Sequence, residues 1–299
     1  MPGNNYKQIV FLSGKGGTGK TTMAFAVSSL IKDKVLIDCD VDAANLYLLV
    51  DPVSQREYQF SGGKKAFIQK EKCNECGLCE TLCRFGAIKN FTVDFLNCEG
   101  CGFCARACPS EAILFEKNIS GSYFDCRLDD KTGFYYARLF PGEGNSGKLV
   151  SEIKKKAKES INGSVKYVFI DGPPGIGCPV NASIAETDFV VLVTEPSLSG
   201  VHDLKRLIQL LQRFNLKFGV IINKHDLNPG LTSEIELYLQ NEKLPLLGKY
   251  PFDKRIAESI KKKIPVTEIN KEYKIVSENV LNRLENYLAE SKKQKLMEQ

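Results

Sequence analysis

Eight of the eleven cysteines in this 299-residue sequence lie in two short runs with the same spacing. Each run reads C-x2-C-x2-C-x3-C; the residues are Cys73, Cys76, Cys79 and Cys83, then Cys98, Cys101, Cys104 and Cys108. Thiolates at such short intervals bind metals, whereas disulfides rarely persist inside cells. The two runs therefore indicate metal ligation or redox chemistry.

A second chemical signal is the glycine-rich segment SGKGGTGKTT, which has the spacing of a phosphate-binding loop. It follows a strand-like run and opens a segment with helical periodicity, so backbone amides and the helix dipole can surround phosphate oxygens. Lys20 would reach the β- and γ-phosphates, Thr21 would supply a hydroxyl to Mg²⁺, and Thr22 would lie near the α-phosphate. The expected nucleotide-binding residues of this loop are Gly14, Lys15, Gly16, Gly17, Thr18, Gly19, Lys20, Thr21 and Thr22.

The elements that must position these groups are short apolar runs separated by segments with helical periodicity. The runs lack polar alternation, as strands buried on both faces do; they are Ile9–Leu12, Val35–Ile37, Tyr167–Ile170, Phe189–Val193 and Phe218–Ile222. The helical segments include Lys20–Lys32, Val201–Phe214 and Ser277–Ala289. The sequence therefore predicts an α/β fold with a mostly parallel sheet flanked by helices.

The cysteine-rich segment interrupts this alternation between the second and third apolar runs. More than a hundred residues separate those runs, and the eight spaced cysteines lie between Ala66 and Lys117. We therefore predict an inserted domain at residues 64–118, within an ATPase domain formed by residues 1–63 and 119–299.

Three aspartates lie where two predicted parallel strands end. Asp38 and Asp171 each end a strand, and Asp40 follows two residues after Asp38. Ligands of parallel sheets bind at this carboxyl edge. Asp38 and Asp171 are expected to hold hydrated Mg²⁺, and Asp40 to orient or deprotonate the attacking water.

The loop G-K-G-G-T-G-K-T-T resembles that of the deviant Walker A ATPases, which include MinD, ParA, the Mrp-type iron–sulfur carriers and the nitrogenase iron protein. DCDVDAANL is similar to their switch I, and DGPPGIG to switch II of the Mrp branch. CEGCGFCARACP, GNSGKLV and DGPPGIGCP resemble segments of the MinD-like subfamily with an inserted ferredoxin domain. The resemblance implies a P-loop NTPase fold and an ATP-dependent homodimer.

Further roles follow from this resemblance. Lys15 would cross the dimer interface to the partner's nucleotide, and the family's matching aspartate supports the role of Asp40. Gly175 would offer its amide to the γ-phosphate, and Asn223 would recognise adenine, so ATP is expected. Asn223 also begins N-K-H-D, which resembles the guanine-reading N-K-x-D of GTPases and leaves GTP as the alternative.

The cysteine spacing is that of bacterial two-cluster ferredoxins, in which the fourth cysteine of each run ligates the other cluster. One [4Fe–4S] cluster would take Cys73, Cys76, Cys79 and Cys108, and the other Cys98, Cys101, Cys104 and Cys83. Pro109 follows the second run as the pattern requires, whereas Arg84 replaces proline after the first. The spacing predicts a pseudo-twofold α+β ferredoxin domain; zinc, which prefers separated pairs, is the alternative.

Three further cysteines stand outside the runs. Cys39 lies between two aspartates and is interpreted as an inert small residue. Cys178 follows switch II, near where the nitrogenase iron protein has a cysteine that holds a cluster between subunits, and Cys126 could supply a second ligand. The alternative is that Cys126 and Cys178 are packing residues.

Charge distribution and the length of the apolar runs limit which classes of partner are expected. The net charge of +5 is spread over short lysine runs without an aromatic-interleaved basic stripe, so no nucleic-acid partner is expected. The apolar runs are shorter than the ~20 residues of a membrane span, and the tail after Ser291 is polar. We expect a cytoplasmic protein without a membrane partner.

Together these features predict a dimeric iron–sulfur protein that binds and hydrolyses ATP, with Mg²⁺ and two [4Fe–4S] clusters. Its catalytic residues would be Lys15, Lys20 and Asp40. The nucleotide cycle would gate electron transfer, or cluster transfer, to a redox or iron–sulfur acceptor protein. The alternative is a MinD-like positioning or regulatory ATPase whose clusters are structural or redox-sensing.

Overall fold

The structure, a computed structural model, describes residues 6–161 and 163–297, with side chains up to residue 290. The polar tail after Ser291 therefore lies outside the described side chains. The chain divides into two compact units. The first comprises Met1–Glu57, Phe124–Ala137 and Ser146–Gln299, and the second Tyr58–Tyr123 and Arg138–Asn145.

The first unit is organised by a largely parallel sheet. The strands of the chain are β1 (Lys7–Ser13), β2 (Lys34–Asp38), β3 (Ser54–Ile68), β4 (Ile88–Lys89), β5 (Thr92–Val93), β6 (Ile113–Arg127), β7 (Gly133–Leu139), β8 (Tyr167–Pro174), β9 (Phe189–Thr194), β10 (Phe218–Asn223) and β11 (Leu246–Tyr250). The sheet order is β11-β10-β9-β1-β8-β2-β7-β6-β3, and neighbouring strands from β11 to β7 are parallel. The five strands predicted from apolar runs are confirmed as β1, β2, β8, β9 and β10.

Helices alternate with the parallel strands of the first unit, and two further short helices lie in the second unit. They are α1 (Lys20–Ser29), α2 (Leu78–Leu82), α3 (Phe103–Ala107), α4 (Ser146–Glu159), α5 (Cys178–Ile184), α6 (Leu198–Arg213), α7 (Pro229–Asn241), α8 (Ile256–Lys262), α9 (Val266–Ile269) and α10 (Lys271–Met297), with a 3₁₀ turn at Leu46–Leu49. Among the described residues, no helix combines the length and apolar character that crossing a membrane would require. The predicted α/β fold with a mostly parallel sheet is confirmed.

Parallel pairing brings the predicted functional groups to one edge of the sheet. Strands β1, β2, β8 and β10 are buried along almost their whole length, because apolar side chains cover both faces. The register of β2 and β8 sets Asp38 directly opposite Asp171. The phosphate-binding loop begins where β1 ends, at the same carboxyl edge.

The second unit carries both cysteine runs and is wider than the predicted 64–118, because β3 and β6 extend beyond those limits. The short helices α2 and α3 follow Gly77 and Gly102, which adopt left-handed φ angles of 73° and 71°. Strands β4 and β5 form a two-stranded antiparallel sheet. The buried apolar cluster of the second unit consists of Ala66, Ile68, Ile88, Val93 and Ile113.

Candidate functional site

The phosphate-binding loop connects β1 to α1, and two of its glycines, Gly14 and Gly19, have no room for a side chain. A Cβ atom on Gly14 would lie 2.2 Å from the Cβ atom of Asp203 in α6. Gly19 has a φ of +89°, and a Cβ atom there would lie 2.2 Å from Nδ2 of Asn223. Glycine permits both the left-handed backbone and the close approach of α6 and β10 to the loop.

Lys20, at the start of α1, is joined to the end of β8 by a buried ion pair. Its Nζ atom donates to Oδ1 of Asp171 at 2.6 Å, and the Thr21 hydroxyl donates to Oδ2 of the same carboxylate at 2.6 Å. Burial alone would lower the pKa of Lys20, but the negative charges of Asp171 and its neighbours outweigh it and raise that pKa. Lys20 is therefore fully charged at neutral pH.

Asp38 is completely buried and holds the loop that follows it. Its carboxylate accepts the backbone N–H groups of Asp40 at 3.0 Å, Asn45 at 3.0 Å and Leu46 at 2.9 Å. Burial and the facing Asp171 carboxylate raise the pKa of Asp38 to about 7, while Lys20 and the backbone donors oppose the rise. Asp38 thus organises the loop at residues 40–46 through its own hydrogen bonds; its Mg²⁺ role stays a prediction.

Asp40 faces a cavity of about 960 Å³ at the carboxyl edge of the sheet. Burial raises the pKa of Asp40 to about 6, although Lys20 partly offsets it. A carboxylate poised near neutral pH suits a group that takes a proton from water. The predicted residues that line the cavity are Gly16, Gly17, Thr18, Gly19, Lys20, Thr21, Thr22, Asp40 and Asn223.

Five predicted residues do not line the cavity, namely Gly14, Lys15, Asp38, Asp171 and Gly175. The N–H of Gly175, which has a φ of +86°, donates to the carbonyl of Ser13 at 2.9 Å. This amide is thus tied to the end of β1, and its γ-phosphate role stays a prediction.

Lys15 is held within its own chain. Its Nζ atom lies 2.8 Å from Oε1 of Glu195 and donates to the hydroxyls of Ser197 at 3.1 Å and Ser199 at 2.8 Å. Glu195 also accepts Lys224 Nζ at 2.8 Å, so two lysines share one carboxylate. Burial would raise the pKa of Glu195, but the two lysines lower it overall. The lysine is partly exposed and tethered at the same edge of the sheet.

Sequence reasoning missed the apolar wall of the cavity. Leu48 and Leu49 come from the 3₁₀ turn, Ile256 and Ile260 from α8, and Phe252 from the segment before it. These residues belong to no motif. The i, i+4 spacing of Ile256 and Ile260 was the only signal that could have placed them on one helix face.

In the second unit the cysteines form two groups of four. A cavity of about 430 Å³ is lined by Cys83, Cys98, Cys101 and Cys104. A separate, narrower depression is lined by Cys73, Cys76, Cys79 and Cys108. Each group therefore combines three cysteines of one run with the fourth of the other.

No three His, Cys, Asp or Glu side chains in the described part of the chain converge tightly enough to hold a single metal ion. Each cysteine group instead offers four thiols spread around a depression. This donor set fits an iron–sulfur cluster, in which each thiolate binds a different iron atom.

The three cysteines outside the runs differ in exposure. Cys39 and Cys126 are buried, and burial raises the pKa of each thiol to about 12. The Cys126 thiol points to Oε1 of Gln55 at 3.7 Å. Cys178 is exposed at the first residue of α5. The burial of Cys126 favours packing over ligation.

Comparison with known proteins places the chain in a family. Residues 9–266 match the family described as CbiA, the CobQ/CobB/MinD/ParA nucleotide binding domain. An uncharacterized protein of Methanocaldococcus jannaschii is 30% identical over 91% of this chain and 93% of its own length. An iron–sulfur cluster carrier protein of the same organism is 22% identical over 93% of this chain and 85% of the carrier.

The solved structures agree on the fold. The septum site-determining protein MinD of Pyrococcus horikoshii, in complex with Mg-ADP, superposes with a TM-score of 0.54 at 20% identity, covering 96% of this chain and 95% of that chain. The glycine loop, its buried lysine and the paired strand-end aspartates lie at the carboxyl edge of the parallel sheet, the edge at which such sheets bind ligands. The chain therefore belongs to the CobQ/CobB/MinD/ParA family and is a P-loop ATPase.

Proposed function

We propose that this ATPase is a dimeric iron–sulfur protein whose nucleotide cycle gates the transfer of electrons, or of a cluster, to an acceptor protein. The observation that carries the proposal is the grouping of eight cysteines in the second unit into two sets of four. The likeness to an iron–sulfur cluster carrier protein supports it. When bound, a [4Fe–4S] cluster would supply one-electron redox chemistry.

The chain's residues would hold the clusters in the crossed arrangement of two-cluster ferredoxins. Cys83 would join the second run, and Cys108 the first. The Cys108 sulfur accepts the N–H of Ala112 at 3.3 Å, a contact that favours a thiolate. The Arg84 guanidinium stacks on Phe85, 4.7 Å from the ring centroid. Both residues line the 430 Å³ cavity, the one that contains Cys83. The cluster held there would have a fixed positive charge nearby, where the usual sequence has proline.

In the nucleotide site, Asp171 links the lysine and the threonine that a Mg²⁺–triphosphate needs. Its carboxylate accepts hydrogen bonds from both Lys20 Nζ and Thr21 Oγ1. Binding of ATP would turn Lys20 towards the phosphates and leave Thr21 and Asp171 as oxygen ligands around Mg²⁺, which prefers such donors. Asp40 would then accept a proton from the attacking water.

Dimerisation would complete this site through Lys15. In the single chain Lys15 is bound by Glu195 and two serine hydroxyls, so it has to leave Glu195 to reach a partner's nucleotide. The negative charge that spreads over the transferring phosphoryl group would offset the loss of this partly exposed pair.

An aromatic stack supports coupling between switch I and the strands that lead to the second unit. Tyr47, in the 3₁₀ turn after switch I, stacks on Tyr136 of β7 with ring centroids 5.4 Å apart. Tyr136 also stacks on Phe124 of β6 at 4.4 Å and donates to Oε1 of Gln55 in β3 at 3.3 Å. Because β3, β6 and β7 all continue into the second unit, a shift of switch I would also shift these three strands through the stacked rings.

The direct test of the cluster assignment is to prepare the protein without oxygen and measure iron, sulfide and zinc. We expect about eight iron and eight sulfide per chain. Cys101→Ser should disturb the cluster of the 430 Å³ cavity, whereas Cys126→Ser, the same change at a buried thiol outside the two runs, should leave iron content unchanged. Stoichiometric zinc without visible charge-transfer absorption would contradict the proposal.

The test of the dimer is to mix two inactive variants, Lys15→Ala and Asp40→Ala, and let chains exchange. In a mixed dimer one site keeps its own Asp40 and receives Lys15 from the partner, so ATP hydrolysis should reappear. If Lys15 serves its own nucleotide, each site lacks one group. A mixture that contains heterodimers but stays inactive would contradict the trans role.

A second candidate function is a MinD-like positioning or regulatory ATPase, which the likeness to solved MinD structures favours. Its clusters would be structural or redox-sensing. It predicts ATP-dependent localisation that survives replacement of Cys76 and Cys101 by serine, whereas the gating function predicts that acceptor reduction or cluster delivery is lost.

A further inference from the structure

A second glycine-rich segment, GEGNSGKL at residues 142–149, has the glycine and lysine spacing of a phosphate-binding loop but ends in Leu149, which cannot ligate Mg²⁺. Its first four residues belong to the second unit. There the Glu143 carboxylate accepts hydrogen bonds from Lys65 Nζ at 2.7 Å and from Asn118 Nδ2 at 3.0 Å. A carboxylate inside the loop repels phosphate, so the loop is suited to binding protein groups instead.

Lys65 joins this loop to the segment that precedes the second cysteine run. Its Nζ atom also donates to the carbonyl of Phe95 at 2.6 Å, and Phe95 lies three residues before Cys98. The Lys65 and Glu143 side chains are only 11% and 15% exposed. A pair that is shielded from water and bound by further hydrogen bonds holds its partners more firmly than an exposed salt bridge does.

The segment before Cys98 forms a turn that is anchored at its start and in its middle. Asp94 Oδ1 accepts the N–H of Leu96 at 2.9 Å, and the Asp94 carbonyl accepts the N–H of Cys98 at 3.0 Å. At the start of the turn, the N–H of Asp94 donates to the carbonyl of Ala87 at 2.7 Å. The anchor in the middle is the Lys65 ammonium, so the position of Cys98 depends on the bonds that Lys65 makes.

The loop and the turn also pack closely beside a polar cavity. Gly142 has a φ of 77°, and a Cβ atom there would lie 3.0 Å from Cδ2 of Leu96. The cavity has a volume of about 180 Å³, and its lining includes Cys98 and both members of the ion pair. Cys98 also lines the cavity of about 430 Å³. The ion pair and the proposed cluster site therefore adjoin the same cysteine.

We propose that Glu143 is a positioning residue that acts through Lys65 to hold Cys98 in place for the cluster of the 430 Å³ cavity. The reduction potential of an iron–sulfur cluster depends on hydrogen bonds to its sulfurs and on its exposure to water. A fixed ligand segment keeps both constant. Without Glu143, Lys65 loses its charged partner, the turn is held less firmly, and water reaches Cys98 more often. Only the redox readout of this role rests on the proposed function.

The test uses the full-length protein, prepared without oxygen, and measures amide exchange of residues 95–98, iron content and cluster potentials. Glu143→Ala should speed this exchange about tenfold and shift the potential of one of the two clusters, or release that cluster. Glu99→Ala removes an exposed carboxylate from the lining of the same cavity and should leave exchange at the wild-type rate. Adding Glu143→Ala to Lys65→Ala should change exchange little, because Glu143 acts through Lys65.

Each contrary result overturns this role. Wild-type exchange in Glu143→Ala would show that Glu143 does not hold the turn, and additive effects of Lys65→Ala and Glu143→Ala would show that it does not act through Lys65. Faster exchange with both potentials and the iron content unchanged would show that Cys98 keeps its place without Glu143. Faster exchange throughout the second unit would show a general loss of stability.

Failure of the proposed function gives a different result. Stoichiometric zinc without a redox signal would rule out the clusters, whereas the exchange of residues 95–98 and the metal content of Glu143→Ala would still decide whether Glu143 holds Cys98. In that case faster exchange with loss of metal would support the role, and wild-type values for both would overturn it.

Discussion

The two units of this chain build their sites in different ways. In the ATPase unit, protein groups already satisfy the site: Lys20 is paired with Asp171, and Asp38 binds three backbone amides. In the second unit the buried apolar cluster has only five residues, and six of the eight spaced cysteines pack against it. Small cores of this kind usually depend on a metal or disulfides for stability. The nucleotide site is thus preorganised by the fold, whereas the cysteine unit is expected to depend on the proposed clusters for its stability.

The largest effect expected from this comparison is the selective loss of structure in the second unit when the proposed clusters are removed. Anaerobic chelation of iron should greatly increase amide hydrogen exchange in residues 64–118 by removing several kcal/mol of local stability. The ATPase unit should keep its exchange protection and its affinity for an ATP analogue. Equal loss of exchange protection in both units, or no loss in either, would contradict the expectation that only the second unit depends on clusters for its stability.

The two lysines of the phosphate-binding loop provide the next test. Lys20→Ala leaves the buried Asp171 carboxylate without its charged partner, although the Thr21 hydroxyl remains, and should lower the free energy of unfolding by about 3–5 kcal/mol. Lys15→Ala, the matched control, breaks a partly exposed pair and should cost at most about 1 kcal/mol. Both variants should lose ATP hydrolysis. Equal unfolding free energies in urea would contradict the burial argument.

The raised pKa of Asp40 predicts how hydrolysis depends on pH. Only the carboxylate can take a proton from water, so activity should be flat above the pKa of about 6 and fall about tenfold per pH unit below it. Asp40→Asn should be nearly inactive and lose this limb of the profile. A profile whose acid limb lies near pH 4 would show that Asp40 titrates as an ordinary exposed aspartate.

The smallest expected effect concerns the aromatic stack after switch I. Tyr47→Leu removes the stacking on Tyr136, a contact of about 0.5–1.5 kcal/mol, and should reduce the influence of nucleotide on the second unit without abolishing hydrolysis. The readout is the ATP-dependent change in amide exchange of β6 and β7. Tyr238→Leu, on the remote helix α7, is the control. If Tyr47→Leu keeps the full ATP-dependent change in amide exchange, this contact does not couple the nucleotide to the second unit.

The sequence predicted those parts of the molecule whose chemistry is local. Unbroken apolar runs such as Phe189–Val193 predicted buried parallel strands, and the loop glycines predicted the phosphate site, because sterics and hydrogen bonding at these positions depend on few neighbours. The contacts of Lys15 with Glu195 and of Tyr47 with Tyr136 could not be predicted in this way. They join residues far apart in sequence, and only the assembled sheet sets which side chains meet.

Whether ATP acts on the proposed clusters of the second unit is measured by a redox titration of anaerobically prepared protein, followed by electron paramagnetic resonance. The titration is run once with ADP and once with a non-hydrolysable ATP analogue, using Lys20→Ala as the control that cannot respond. We expect the potential of at least one cluster to differ between the two nucleotides in the wild type, by the roughly 1–3 kcal/mol usual for coupled sites, and not in the variant. Identical potentials, together with identical rates of electron or cluster transfer to an acceptor, would contradict it.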